Sequence, residues 1–396
     1  MKKYLIVNTG SVSAKYAIYD EKSELFFGHF EIEAGKAIVT FYVDGNKNKP
    51  VTLKISDEIF NNSLDYFIKE AIKNNIIYKK EDISSISIRV VSPGTCFQSD
   101  RIVGDIFMSQ ITEEKEEAPR HVPATLKEIK EIKKIFSNTS IIGISDSAYH
   151  KDVPDFVKNY AISQKIAKDL DIYHFGYHGI SVKSIVNKLK KNGQLSSKVI
   201  ICHLGGGSSV IAIKDGKSFD TSMGYTPLEG LVMSTRVGDI DPVAVMYLGQ
   251  KLGKDSTELE AYFNNECGIL GLSGGKSSDI RDLLKLEENG DKDAKLALEK
   301  FVMSIKKYIG AYIAEMGGVD TLVFSGTIGE RSYIMRDRIC KNLEYFGIIL
   351  NKKLNNKTVS DDKKISSFFS PVKVLVVCTD EMNQIAKETL KFFEIK

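Results

Sequence analysis

The sequence predicts an α/β protein of two domains, the second repeating the theme of the first, and three observations carry that prediction. The chain has 396 residues, 42% hydrophobic and 27% charged, enough for two domains that each bury a core. Two stretches, 8–20 and 203–215, run in register without a gap: Gly10 matches Gly205, Ser13 matches Ser208, and Ala17, Ile18 and Asp20 match Ala212, Ile213 and Asp215. Each follows an apolar run, so each reads as strand, Gly/Ser turn, strand. In both halves, apolar runs of strand length alternate with stretches of helical period, the pattern of crossover connections.

In the first half, strands are expected at 3–9, 14–20, 25–32 and 37–43, a helix near 57–74, a strand at 84–91, a helix near 123–137 and a buried strand at 140–144. The helix near 123–137 carries Leu126, Ile129, Ile132 and Phe136 at helical spacing with Pro123 near its start, so the lysines of 127–134 form a solvated face. The second half resumes strands at 198 and adds helices near 240–252, 256–265 and 293–316, then strands at 320–325 and 372–378. A last helix, about 380–394, is expected to pack back on the first domain. Turn-rich 145–154 sets the boundary, giving a first domain of 1–147 with 382–396 and a second of 148–381. The polar run 355–367 reads as a surface loop.

A formal net charge of +3, with no dominant Lys/Arg cluster, gives no reason to expect a nucleic acid or membrane partner. No apolar stretch reaches transmembrane length, and the apolar run after Met1 is too short for a signal peptide. Cys96, Cys202, Cys267, Cys340 and Cys378 have no CxxC spacing, which fits a reducing compartment, the cytoplasm. His121, His150 and His174 show no metal-ligand spacing. Gly274, Gly275, Lys276 and Ser277 imitate the tail of a P-loop, but the glycine that motif requires is Leu270.

The two small-residue turns are the strongest chemical signal. Without Cβ interference, backbone N–H groups converge on an anion, and serine hydroxyls add donors. Two such turns facing each other would clamp a polyphosphate; either alone is also an ordinary hairpin turn.

The segment 220–242, which includes Met223, Gly224, Pro227, Glu229, Gly230, Thr235, Arg236 and Asp239, closely resembles the signature of the acetate/propionate kinase family. The motifs at 7–15, 89–91, 145–150, 175–179, 203–207, 316–320 and 379–381 match that family in order and spacing over essentially the whole chain. The resemblance implies a duplicated actin/hexokinase-like (ribonuclease H-like) two-domain fold with an interdomain active-site cleft, and a homodimer. It also implies reversible phosphoryl transfer from ATP to acetate, giving acetyl phosphate and ADP, with Mg²⁺ or Mn²⁺. Propionate or another short-chain acyl substrate is the nearest alternative. A nucleotide-hydrolysing switch of the same fold, or a member that binds nucleotide without turnover, is the alternative of another class.

A carboxylate is ionised at neutral pH and attacks phosphorus without a general base, so such a site needs cations and fixed donors. By resemblance Arg89 holds the substrate carboxylate, with Val91 and Pro227 in the substrate site; alone, Arg89 reads equally as an edge-strand surface residue. Arg236 is implied to clamp the phosphoryl group and His178 to donate to it. Asp146 is implied to be catalytic, orienting Arg or Mg²⁺ rather than abstracting a proton; alone it is a turn residue. Glu381 is implied as a Mg²⁺ contact with Asn8 near the same metal, and Lys15 as a contact to donor phosphate. The nucleotide falls to His203, Leu204, Gly205, Gly206 and Gly207, to Asp279, Ile280 and Arg281, and to Thr327, Ile328, Gly329, Glu330 and Arg331.

Five positions depart from the family pattern. Ser92 and Pro93 replace His-Gly after the Arg-Val-Val motif, and Arg120 replaces a leucine of the acyl pocket, so Arg120 is expected to fold away or to admit a more polar acyl group. Gly206 replaces an asparagine and Thr327 a glycine on the donor side, which opens pyrophosphate or another nucleotide as donor.

Overall fold

The computed structural model describes residues 2–10, 13–33, 35–43, 49–114 and 122–394. The chain divides into two compact units, Met1–Ala148 with Asp380–Lys396, and Tyr149–Thr379. Arg120 and His121 lie outside the described residues.

The first unit is built on strands β1 (Lys3–Thr9), β2 (Ser13–Tyr19), β3 (Glu24–Glu33), β4 (Lys36–Val43), β5 (Val51–Lys54), β6 (Ile83–Val90), β7 (Arg101–Ile102) and β8 (Ser140–Ser145), in the order β5-β4-β3-β2-β1-β6-β8-β7. β1 to β5 form an antiparallel meander, β6 pairs parallel to β1, and β8 pairs parallel to β6. Because β1 and β6 are covered on both faces, they read as apolar or small over 4–7 and 83–88. On one face Leu5, Val7, Ile86 and Ile88 pack with Phe67 and Ile129, which come from helices Ser63–Lys73 and Val122–Ile135. On the other, Ser87 accepts a 2.7 Å hydrogen bond from Thr389 of the terminal helix Glu381–Glu394.

The second unit repeats this plan with β9 (Lys198–Leu204), β10 (Ser208–Lys214), β11 (Lys217–Thr221), β12 (Thr321–Ser325), β13 (Lys363–Lys364) and β14 (Lys373–Val376), ordered β11-β10-β9-β12-β14-β13. Again three antiparallel strands lead into two parallel ones. Helix Lys292–Met316, capped by Asp291 and ended by Gly317 at φ +66, lays Leu298, Phe301, Ile305 and Ile309 against one face. Helix Gly179–Lys191 covers the other with Val182, Ile185 and Leu189.

The repeat is real but not gapless in space. Thr9 pairs with Ala14 across the first turn, whereas Leu204 pairs with Ser208 across the second, so the first turn holds one more residue. Leu5 and Val7 therefore correspond to Ile200 and Cys202, but Tyr16 and Ile18 correspond to Val210 and Ala212, one position earlier than the ungapped match. A one-residue slip turns side chains to the opposite face, so burial enforces this register.

Three expectations are corrected. The helix near 57–74 is two helices, Asp57–Asn61 and Ser63–Lys73, separated at Asn62, whose side chain bonds the Glu58 carbonyl at 2.9 Å instead of continuing the helix. β5 was not foreseen, because its four residues are all exposed and leave no alternating signal. The run 355–367 is no surface loop: it holds buried Asn355, Thr358, Ile365 and Ser366 and strand β13.

The reason lies at Arg336, a fully buried arginine. Its guanidinium donates to Asn355 Oδ1 (2.8 Å) and to the carbonyls of Asn355 (2.9 Å), Thr358 (2.8 Å), Gly329 (2.8 Å) and Glu330 (3.0 Å). Burial without a carboxylate partner lowers its pKa to about 10. Arg336→Met, of similar length, leaves those acceptors without their donor; chemical denaturation should show a loss on the order of 4 kcal/mol.

Candidate active site

In the first unit the predicted residues gather at the C-terminal ends of adjacent parallel strands, the usual ligand position in α/β sheets. Asn8 lies near the end of β1, Arg89 near the end of β6, and Asp146 directly after β8. β6 lies between β1 and β8, so the edge-strand reading of Arg89 is overturned. Arg89 Nη2 donates to Asp146 Oδ2 at 2.9 Å, and Nη1 to Asn8 Oδ1 at 3.3 Å and lies 3.9 Å from Glu381 Oε2. Asn8 Nδ2 donates to the same Glu381 oxygen at 2.8 Å. Burial works against the guanidinium's charge, but Asp146 and Glu381 outweigh it and raise the Arg89 pKa.

In the segments that carry Arg89 and Asp146, Arg89 Nε and the hydroxyls of Ser92 and Ser147 are buried with no hydrogen-bond partner among the described residues. Native structures leave few such atoms unpaired, so each of the three is available to bond a polar ligand. Val91 is buried beside them in sequence, as are Ser92, Pro93 and Gly94. Lys15 pairs in register with Asn8 across β1 and β2, half-buried, on the same face of the sheet.

The oxygen donors here suit a hard cation. Mg²⁺ takes oxygen ligands and keeps several waters, so one or two protein contacts are enough. Glu381 fits that role. Asn8 turns its NH₂ toward Glu381 and its carbonyl toward Arg89, so it orients the carboxylate rather than offering its oxygen to the same point. No cluster of three or more His, Cys, Asp or Glu able to hold a metal occurs among the described residues.

In the second unit the β9–β10 turn of Gly205, Gly206 and Gly207 follows His203 and Leu204. Ser208 Oγ closes it, accepting from Gly205 N–H at 3.2 Å and donating to the Gly205 carbonyl at 3.0 Å. His178, at φ +60, opens helix Gly179–Lys191. Its Nδ1 lies 2.9 Å from Ser209 Oγ, and its ring centroid 4.4 Å from that of His203. Arg236 is only 8% exposed and donates from Nη1 to the Pro227 carbonyl at 3.2 Å. A Cβ at Gly207 would sit 3.3 Å from His178 Nε2 and 3.4 Å from Arg236 Nη1, so imidazole and guanidinium converge on the space glycine leaves open.

Beside this turn is a cavity of about 670 Å³ lined by Gly206, Asp279, Ile280, Arg281, Thr327, Ile328 and Arg331. Gly329 and Glu330 do not line it. Glu330 Oε1 accepts from Gly326 N–H (3.0 Å) and Thr379 N–H (3.1 Å), which fixes the start of helix Gly326–Arg331, while Gly329 packs against Phe324. Asp279 caps helix Ile280–Glu288, and hydrogen bonds from Arg281 hold its carboxyl below the usual range. The sequence reading missed that helix and so missed Leu284, Lys285 and Glu288, which join Arg281 on the cavity. Their helical spacing was visible; nothing assigned them to a ligand. The P-loop imitation is settled by Lys276, which pairs with Asp291 (2.6 Å) and Asp293 (3.0 Å).

The model of the acetokinase family matches residues 3–387. The chain belongs to the acetokinase family. It is 36% identical over 401 residues to an acetate kinase of Bacillus thuringiensis, covering all of both chains. An acetate kinase structure from Porphyromonas gingivalis superposes with a TM-score of 0.84 at 32% identity, covering 99% of this chain and 100% of that one. A propionate kinase structure from Francisella tularensis gives 0.86 at 31%, covering 98% and 99%. The expected duplicated α/β class therefore holds for this acetokinase-family chain: six strands of its first sheet, β3-β2-β1-β6-β8-β7, follow the same order as the six of its second.

Proposed function

We propose that this chain catalyses reversible phosphoryl transfer from ATP to acetate, giving acetyl phosphate and ADP. The observation that carries the reading is the set of orphaned buried donors in the segments that carry Arg89 and Asp146, which suits a small carboxylate. A guanidinium presents a planar fork to a carboxylate, and Arg89 Nε together with the Ser92 and Ser147 hydroxyls supplies further donors. Val91 and Pro227 flank the acyl group in this reading. Asp146 Oδ2 is committed to Arg89, so it orients that arginine and removes no proton; none needs removing from an ionised carboxylate.

On the nucleotide side, Gly205, Gly206 and Gly207, with His203 and Leu204 leading into the turn, offer backbone N–H groups to the phosphates, and Lys15 is assigned to the donor phosphate by family resemblance. Arg236 and His178 stabilise the charge on the transferring phosphoryl oxygens. Asp279, Ile280, Arg281, Thr327, Ile328 and Arg331 take the nucleoside. Mg²⁺, held by Glu381 with Asn8 orienting it, neutralises phosphate charge when bound. The isoleucine-bearing lining of the cavity favours a nucleoside triphosphate over pyrophosphate, which has no apolar part to bury.

A homodimer and a cytoplasmic location complete the reading. Val243 and Met246, each 67% exposed on helix Pro242–Leu252, support an association surface on the second unit. All five cysteines are free. Among the described residues no helix is long and apolar enough to cross a membrane.

Trapping with hydroxylamine tests the function. With ATP, Mg²⁺ and acetate, acetyl hydroxamate should accumulate; ATP consumption indifferent to acetate would instead favour a nucleotide-hydrolysing switch. Repeating the assay with propionate and with GTP or pyrophosphate identifies acyl and donor preference.

A further inference from the structure

Outside the residues given roles so far, the segment 222–230 is held by two tyrosine hydroxyls. Tyr160 Oη accepts from the Tyr225 N–H at 2.7 Å and donates to the Glu229 carboxylate. Tyr177 Oη donates to the Tyr225 carbonyl at 2.6 Å. Side chains thus satisfy both peptide groups of Tyr225 just before Pro227, whose carbonyl anchors Arg236 at 3.2 Å. Tyr177 itself directly precedes His178. An arch fixed this way has little freedom left at the two positions that aim the cation and the imidazole.

Gly224 adds an independent observation. Its carbonyl accepts from the N–H groups of Phe175 (3.2 Å) and Gly176 (3.3 Å). A Cβ at this position would collide with the Glu229 carboxylate and the Tyr160 hydroxyl, so both groups lie directly on the bare backbone. The second Glu229 oxygen is 3.7 Å from His174 Nε2. Burial works against the Glu229 charge, but His174 and Tyr160 outweigh it and hold the carboxyl below its ordinary range.

We propose that Tyr160 and Glu229 are positioning residues for phosphoryl transfer: through the Tyr225 peptide they fix the arch that anchors Arg236, and through Tyr177 they tie it to His178. The inference rests on the roles proposed above for Arg236 and His178. Neither Tyr160 nor Glu229 lines the nucleotide cavity. Their influence therefore falls on the transfer step and on acetate, not on nucleotide binding.

Tyr160→Phe keeps the ring and removes the hydroxyl. Steady-state kinetics should show kcat and acetate kcat/KM lowered about tenfold, the size of a lost buried hydrogen bond that leaves an amide unpaired, with KM for ATP unchanged. Glu229→Gln, which keeps an acceptor for Tyr160, should restore most of the activity that Glu229→Ala loses. Tyr177→Phe should give the same split as Tyr160→Phe and serves if the latter does not fold. Arg236→Ala run in parallel separates the two readings. If it is inactive while both tyrosine variants match wild type, or if they weaken ATP as much as acetate, the positioning role is overturned. If Arg236→Ala is fully active, the reading of Arg236 fails instead.

Discussion

Replacing Arg236 by alanine is expected to lower the rate of acetyl phosphate formation about a thousandfold while leaving ADP affinity unchanged. Two anions must meet in this reaction, so the barrier is electrostatic and a fixed cation is worth most where water is excluded. Arg236 meets that condition: it is nearly buried, its Nη1 is tied to the Pro227 carbonyl, and it shares with His178 the space in front of Gly207. The nucleotide cavity is lined by other residues, which is why binding should survive. Steady-state rates together with calorimetric ADP titration read the two effects separately. Arg236→Lys should recover only part of the loss, because an ammonium keeps the charge but not the planar fork.

Arg89→Ala should cost both activity and stability, and the two can be pulled apart. Asp146 is fully buried, and its Oδ2 bonds Arg89 at 2.9 Å. Removing the arginine leaves that carboxylate without its cation, which costs about 3–5 kcal/mol in buried pairs. Denaturant unfolding should register the loss in the first unit. Adding Asp146→Asn removes the stranded charge and should return most of the stability, yet acetate turnover should stay at least about a hundredfold below wild type, since the carboxylate fork is still missing. Recovery of turnover along with stability would reduce Arg89 to a structural partner of Asp146.

Much of this was legible in the residues. Continuous apolar runs such as 4–7 and 199–202 marked the central strands, and their repetition marked the duplicated plan. Reading the repeat without a gap put Ile18 opposite Ile213, and only the strand pairing across the two turns shows that Ala212 is its counterpart. Arg89, Asp146, Asn8 and Glu381 lie far apart in the chain and were associated only by family resemblance. The structure supplies the reason, since three of them stand at or just beyond the ends of neighbouring parallel strands. What the sequence withheld was of one kind: hydrogen bonds from side chains to distant backbone. Arg336 orders 355–367 that way, and Tyr160 and Tyr177 hold the Tyr225 peptide that way. Such contacts leave no period or motif, because any residue's backbone can serve as the partner.

The reverse reaction tests the central claim most directly. Phosphorus NMR of the protein with ADP, Mg²⁺ and acetyl phosphate should show ATP resonances growing as acetyl phosphate disappears, with ATP formed at least about a hundredfold more slowly by Arg89→Ala or Arg236→Ala. Release of inorganic phosphate from acetyl phosphate without any ATP, or ATP formed equally well by both arginine variants, would contradict the account.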